Sequence, residues 1–143
     1  MADTLDRISL TLPPEMVDRL DEIVDDWEYA SRSGAVRDAL RELFAVYEWE
    51  SDPESGFYGT VVVFHEHDHD SDVAGELQAV QHEFADAVLA VQHLHLSHHQ
   101  CMETIAVEGS GTKIRELSNR LRSIAGVQRV TFVIGESTDD VEQ

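Results

Sequence analysis

The chain has 143 residues, of which 42% are hydrophobic, and its 29 acidic and 10 basic residues give it a formal charge of −19. This length suits one ordinary domain or two very small ones, and no apolar run approaches the roughly 18 residues needed to span a bilayer. The start of the chain lacks the regions of a secretion signal, and its single cysteine cannot form an internal disulfide. We therefore expect a soluble, cytoplasmic protein without a membrane partner.

The acidic balance would ordinarily argue against a nucleic-acid partner, because the neutralisation of phosphates drives most non-specific binding. Lys113 is the only lysine. An acid-rich, lysine-poor, halophile-type composition is also what keeps proteins hydrated in molar salt, where the Debye length falls to about 3 Å and repulsion from DNA is screened. Composition alone leaves both interpretations open.

The first fifty residues predict one short strand and two helices. Residues 7–12 alternate polar and apolar side chains, which favours a strand with one apolar face. Pro13 and Pro14 end this strand and open the first helix, and Ser33 is placed to cap the second helix. Such a small unit cannot enclose its own apolar stripes, so we expect a second chain to supply the missing strand and core.

The rest of the chain predicts the order strand, helix, strand, strand, helix, strand. The strands cover residues 58–64, 88–97, 101–108 and 127–134, the first helix covers about 71–87, and Gly126 ends the second helix. This order is the ferredoxin-like split βαβ arrangement. We expect domains at 1–50 and 58–136, a linker at 51–57 and a disordered acidic tail at 137–143.

Candidate metal ligands lie between His82 and Cys101. His93 and His95 alternate with Leu94, so both imidazoles share one face of the predicted strand. Cys101 follows six residues after His95, and His82 precedes them on the predicted helix. Three imidazoles and one thiolate form a complete set of four donors for a borderline-to-soft divalent metal. The alternative is a set of solvated histidines beside a small buried cysteine.

Other polar residues near this strand have weaker assignments. Glu103 shares the predicted face of Cys101, and we expect it to accept a ring N–H from a ligand histidine. The run of His and Asp at 65–72 has the composition of a metal tract, but a solvated turn would bind an ion weakly. We expect the remaining histidines to be solvated or to lie outside the ligand set: His65, His67, His69, His98 and His99.

The N-terminal part resembles a ribbon-helix-helix (βαα) DNA-binding domain. The resemblance rests on Arg-Ile-Ser-Leu-Thr-Leu, an amphipathic helix, and then Ser-Arg-Ser-Gly-Ala-Val-Arg-Asp-Ala-Leu. In that family two chains pair their strands into a ribbon that enters the major groove. The resemblance implies base contacts and phosphate contacts by two groups of side chains. The base-contacting group is Arg7, Ser9 and Thr11, and the phosphate-contacting group is Arg32 and Ser33.

Joined to a ferredoxin-like (ACT-type) half with this spacing, the chain resembles the nickel-responsive transcriptional regulators, the NikR family, from Arg7 to Ile134. The resemblance implies an α+β homotetramer, built as a dimer of dimers, that represses nickel-uptake genes by binding a double-stranded DNA operator when it holds Ni²⁺. It also implies nickel ligands from two subunits: His93, His95 and Cys101 from one and His82 from another. The family's weaker interdomain cation site uses an acidic residue where this chain has Gly34, which leaves Asp38, one turn later, as the candidate.

Two other classes of function are compatible with the sequence. A metal-handling protein or a metalloenzyme would need an open coordination position, with Glu103 as general base beside a metal-bound water. Because the donor set looks complete, we expect that the protein is not an enzyme. An antitoxin-like DNA-binder with a degenerate sensor domain would instead bind DNA without any metal.

Overall fold

A computed structural model describes residues 4–67 and 72–138, with the side chain of residue 50 left out. The chain divides into two compact units, Met1–Leu43 and Phe44–Gln143, and each is considered by itself. The expectation of a solvated His69, and that of a disordered tail beyond residue 138, lie outside the described residues. Among the residues that are described, no helix is long and apolar enough to cross a membrane.

The first unit contains helix α1 (Pro14–Asp26) and the beginning of helix α2 (Arg32–Ser51). Helix α1 begins with a proline and has Glu15 in its first turn, which suits the free N–H groups and positive dipole at this end. None of its residues is buried in the described chain. Glu28 takes a left-handed conformation with φ of 57° and turns the chain toward α2.

The prediction that Ser33 caps α2 was wrong, because helical bonding begins two residues earlier. The capping bond is made by Ser31, whose Oγ accepts from the N–H of Gly34 at 3.1 Å. The carbonyl of Ser31 also accepts from the N–H of Ala35 at 3.4 Å. Ser33 therefore lies inside the first turn of the helix and does not cap it.

The predicted strand at residues 7–12 has no strand partner within the described chain. Its apolar side chains are exposed, with 70% of Ile8 and 62% of Leu10 open to solvent. A strand is defined by hydrogen bonds to a neighbour, and residues 4–67 and 72–138 of one chain provide no such neighbour for this segment. Pairing with a second chain therefore stays a prediction.

The second unit is a four-stranded antiparallel sheet with two helices. The strands are β1 (Gly56–Glu66), β2 (Val88–His95), β3 (Gln100–Ser110) and β4 (Val127–Ser137), in the order β2-β3-β1-β4. The helices are α3 (Val73–Glu83) and α4 (Gly111–Arg122). The ferredoxin-like prediction is confirmed, although β1 runs two residues beyond the predicted end at Phe64.

The core lies between one face of the sheet and the two helices. Alternate residues of β1 and β3, such as Val63 and Ile105, pack against Leu77 and Leu117, and all four are fully buried. Gly126 lies in the turn between α4 and β4 and has a φ of +95°, and a Cβ at this position would also collide with Val73. The prediction that Gly126 ends the helix was wrong, because α4 ends at Arg122 with Ser123 as its C-cap, and Gly126 instead makes the turn into β4.

Candidate metal centre

The polar donors lie where the buried face of the sheet continues past the hydrophobic core. Cys101 on β3 is paired with His65 on β1 and with His95 on β2. Glu103, two residues along β3, is paired with His93 on β2. Because directly opposed residues of antiparallel strands project to the same side, three strands bring these side chains to one corner of the sheet.

Cys101 is fully buried, and its Sγ lies 3.4 Å from Nδ1 of His95. Burial raises the pKa of the Cys101 thiol, and the negative charge of Glu103 raises it further. A thiol in this state keeps its proton until a metal displaces it, so metal binding releases a proton. The 3.4 Å distance to Nδ1 of His95 shows that the buried sulfur has an imidazole neighbour as well as hydrocarbon ones.

His93 is oriented by a chain of two hydrogen bonds. Its Nδ1 lies 3.0 Å from Oε1 of Glu103, and Oε2 of Glu103 accepts from Nε2 of Gln81 at 2.7 Å. A carboxylate only accepts, so Nδ1 of His93 carries the proton and Nε2 keeps the lone pair that a metal needs. The contact expected of Glu103 is present. Gln81 was missed, because nothing in the sequence linked it to a residue on β3.

His65 and His67 differ from the expectation of solvated residues. His65 lies on β1 and is only 2% exposed, and its ring centroid is 5.5 Å from that of His93. The ring of His67 is half-buried and 5.2 Å from that of His95. The solvated alternative was wrong for His65, because pairing with β3 extends β1 to Glu66, and its place outside the predicted ligand set stays a prediction. Alternation along Val61-Val62-Val63-Phe64-His65 was the signal that could have found His65.

The histidines and the cysteine form two groups of three donors, each with ligand atoms within 4.8 Å of one another. One group is His65, His93 and Cys101, and the other is His67, His95 and Cys101. Nitrogen and sulfur donors of this kind suit zinc, copper or nickel rather than calcium or magnesium. The structure therefore supplies a donor set that fits a transition metal, with the thiol common to both groups.

His82 lies apart from these donors within one described chain. It is exposed in the last turn of α3, whereas its neighbour Gln81 reaches Glu103. Of the other three predicted ligands, His93 and His95 have ring centroids 4.9 Å apart, but among the described residues each belongs to a different donor group with Cys101. Contribution of His82 to another subunit stays a prediction.

The residues predicted to contact DNA are all exposed: Arg7, Ser9, Thr11, Arg32 and Ser33. Arg32 is paired with Asp21 through two bonds, Nε to Oδ1 at 2.7 Å and Nη2 to Oδ2 at 2.8 Å. The hydrogen bond from Arg32 holds the pKa of the Asp21 carboxyl below its usual value. A phosphate at Arg32 would therefore compete with the carboxylate of Asp21, a partner that no local sequence pattern predicts.

Asp38, the candidate for a weaker cation site, is engaged within the first unit. Its Oδ2 accepts from the hydroxyl of Tyr29 at 2.6 Å, and its Oδ1 accepts from Nη1 of Arg41 at 2.7 Å. These bonds, that from Tyr29 foremost, lower the pKa of the Asp38 carboxyl. A cation would have to share or displace these partners, and the site stays a prediction.

Sequence comparison matches both halves of the chain to known families. Residues 6–45 match the ribbon-helix-helix proteins of the copG family, and residues 58–134 match the NikR C terminal nickel binding domain. A protein of Methanocaldococcus jannaschii named "Putative nickel-responsive regulator" is 41% identical over 130 residues, which cover 91% of this chain and 92% of that protein. A protein of the same name from Methanococcus aeolicus is 38% identical over 126 residues, covering 88% of this chain and 89% of its own.

Among solved structures, an uncharacterized protein of Thermotoga maritima is similar with a TM-score of 0.51. It shares 17% sequence identity and covers 57% of this chain and 99% of its own, so the likeness concerns the fold alone. The two sequence families, found in one chain and in this order, are more specific. Together with relatives that match along nearly their whole length, they show that this chain belongs to the NikR family of nickel-responsive transcriptional regulators, which are not enzymes.

Proposed function

We propose that this protein is a nickel-responsive repressor, which binds Ni²⁺ in its second unit and a double-stranded DNA operator through its first unit. The genes it represses are those of nickel uptake, and it acts in the cytoplasm, where its operator lies. One observation carries the proposal. His93 and His95 on β2 lie beside Cys101 on β3: His95 and Cys101 are direct partners in the sheet, and the two imidazole rings are 4.9 Å apart.

The donors fit nickel in chemical type, and the ring of His93 is already oriented for binding. His93, His95 and Cys101 would hold the ion from one subunit, and the exposed His82 would complete the set from another. Imidazole and thiolate are ligands that Ni²⁺ accepts. Glu103 and Gln81 hold the ring of His93 with its Nε2 available, so less rotational freedom is lost when the ion binds. The bound ion would supply a link between subunits.

The exposed apolar side chains of residues 7–12 support a dimer in the first unit. Ile8, Leu10 and Leu12 alternate along the segment and are all exposed in one chain. Burying a leucine or isoleucine side chain contributes about 1.5–3 kcal/mol, so pairing two such segments stabilises a dimer substantially. The other face of the ribbon would present Arg7, Ser9 and Thr11 to base edges in the major groove. Two such dimers joined through their second units would give a homotetramer.

Metal and DNA binding are coupled in this proposal through the subunit arrangement. An ion held by donors from two subunits favours one arrangement of the two DNA-binding dimers. If that arrangement also fits the two half-sites of the operator, nickel and operator must raise each other's affinity by the same factor. Allosteric coupling of this kind is typically about 5–150-fold.

Replacing His82 tests the proposal. The His82→Ala protein should bind Ni²⁺ more weakly and lose nickel-dependent operator binding while it still dimerises. Titration with Ni²⁺, followed by thiolate-to-nickel absorption and by DNA retention, measures both affinities. Molar potassium chloride is the appropriate medium, because the charge of −19 would otherwise repel DNA.

His98→Ala is the matched control, since His98 is exposed and lies outside both donor groups. It should behave as the wild-type protein does. Unchanged nickel and operator binding by His82→Ala would contradict the proposal. Operator binding that is equal with and without metal would favour the antitoxin-like alternative.

A further inference from the structure

His65 has no part in the proposed nickel set, yet its imidazole is one of the most deeply buried polar groups of the second unit. Only 2% of the residue is exposed, and its Nε2 has no hydrogen-bond partner among the described residues. A buried polar atom without a hydrogen-bond partner destabilises the folded protein. Such a cost at the end of a well-paired strand suggests that Nε2 has a ligand.

The other ring nitrogen of His65 defines what kind of ligand this is. Nδ1 lies 3.0 Å from the carbonyl oxygen of Glu66. A carbonyl only accepts, so Nδ1 carries the proton and Nε2 presents a lone pair. Metal-binding histidines typically give one ring N–H to a carbonyl or carboxylate and the other nitrogen to the ion. The contact of Nδ1 with the carbonyl thus leaves Nε2 as the nitrogen available to a ligand.

Two further donors surround His65. His93 and Cys101 offer ligand atoms within 4.8 Å of the one that His65 offers and of each other. His65 and Cys101 are direct partners in the register of β1 and β3, and both are almost completely buried. His93 is held from behind by Glu103. All three donors therefore come from one chain and are positioned by three hydrogen-bonded strands.

We propose that His65, His93 and Cys101 form a second metal-binding set, complete within one subunit, that takes Zn²⁺. Zinc is commonly held by three nitrogen or sulfur donors at about 2.0–2.3 Å, with a fourth position for solvent, and it has no preference for a planar arrangement. Because His93 and Cys101 also belong to the proposed nickel set, the two ions exclude each other. Zinc bound in this way needs no donor from a neighbouring subunit.

This selectivity has a consequence that rests on the proposed function. An ion that does not join two subunits gives no preference to the operator-binding arrangement, so zinc would occupy the centre without activating repression. The protein would therefore distinguish zinc from nickel by whether the ligands come from one subunit or from two, and not by affinity alone.

The test compares two positions with two metals in the full-length protein. Zn²⁺ affinity is measured by competition with a chromophoric chelator, and Ni²⁺ affinity by thiolate-to-nickel absorption. We expect His65→Gln and His65→Phe to lower zinc affinity by about 100-fold or more, beyond the 10–100-fold typical of a lost outer contact, and to leave nickel affinity nearly unchanged. His82→Ala should do the reverse.

Two substitutions are used because His65 is buried: glutamine keeps a polar group, and phenylalanine keeps the volume of a ring. Thermal unfolding of the metal-free variants checks their fold. A second measurement needs no variant. In wild-type protein with ¹⁵N-labelled histidines, zinc should shift the Nε2 resonance of His65 and leave the ring nitrogens of His82 unmoved.

Three results would overturn the inference. They are a zinc affinity that is insensitive to both His65 substitutions, an equal weakening of zinc and nickel binding by His82→Ala, and a His65 nitrogen resonance that zinc leaves unshifted. The nickel titration of His82→Ala remains a separate test of the proposed function. Failure of the zinc set and failure of the nickel assignment are therefore distinguishable.

Discussion

The two units of this chain reach stability in different ways. In the second unit, Leu77, Ile105 and Leu117 are enclosed by elements of the same chain. In the first unit, α1 buries none of its residues, and Ile8 and Leu10 are mostly exposed. The second unit therefore encloses its own core, whereas the first leaves its apolar side chains uncovered in a single described chain. We expect the subunit partner to matter for folding in one unit and for ligand supply in the other.

The largest effect should come from Leu10→Asp, which would remove the feature that makes the first unit incomplete. A leucine buried in the proposed ribbon contributes about 1.5–3 kcal/mol in each chain, so two copies weaken the dimer by about 3–6 kcal/mol. Sedimentation and operator binding should both reveal this loss. The second unit should keep its nickel absorption band.

Leu10→Val keeps an apolar side chain at the same position and serves as the control. We expect this variant to retain most of its operator binding. A Leu10→Asp protein that binds the operator as the wild type does would show that the exposed apolar face is not the dimer contact.

Glu103→Gln should have an intermediate effect confined to the second unit. The substitution keeps the size of the side chain but removes the negative charge that accepts from His93. Loss of such an outer contact typically lowers metal affinity by about 10–100-fold. A nickel titration should show weaker binding with the thiolate absorption still present at saturation.

Glu108→Gln removes another acid of β3, at a position paired with Tyr58 and away from the donors. It controls for the change in net charge. Equal nickel affinities of the two variants would indicate that the bond between Glu103 and His93 does not orient the ligand.

The smallest effect is expected from Asp21→Asn in the first unit. The pKa of Asp21 is lowered in the folded protein by its bond to Arg32, so the pair stabilises the fold above the ordinary aspartate pKa of 3.8. This contribution is lost as the pH falls through the lowered value. The variant should show less acid sensitivity in thermal unfolding, by a small amount because both side chains are exposed.

Release of Arg32 should also strengthen operator binding slightly, since its guanidinium would no longer be shared with a carboxylate. Asp18→Asn changes the charge of the same helix without touching that pair and is the control. Weaker operator binding by Asp21→Asn alone would mean that the pair positions Arg32 for DNA and does not compete with it.

The periodicity of the sequence was sufficient to predict the order of strands and helices in the second unit, because each of these elements buries one face. The proximity of His93, His95 and Cys101 could also be predicted, since alternation and one short connection place them near each other, and their role as nickel ligands stays a prediction. The burial of His65 was not predicted, because a run rich in His and Asp suggests a solvated turn, whereas pairing from Gly56 to Glu66 with β3 sets the length of β1.

Other features depend on relations that no local pattern records. The bond from Gln81 to Glu103 joins residues 22 positions apart, and the pair of Arg32 with Asp21 depends on how α2 lies against α1. The cap of α2 was misplaced because Ser31 and Ser33 are chemically equivalent candidates. Only the start of helical bonding distinguishes them.

Strand β2 lies at the outside of the sheet, where β3 is its neighbour in the described order. A border strand held by one ladder opens more readily in native fluctuations than the strands inside it. Two of the imidazoles belong to this border strand, and the thiol sits one strand further in. An ion bound by both the imidazoles and the thiol would link β2 to β3 and reduce the local opening of β2. The rate at which the amides of β2 exchange with solvent would then depend on the metal concentration in the cell.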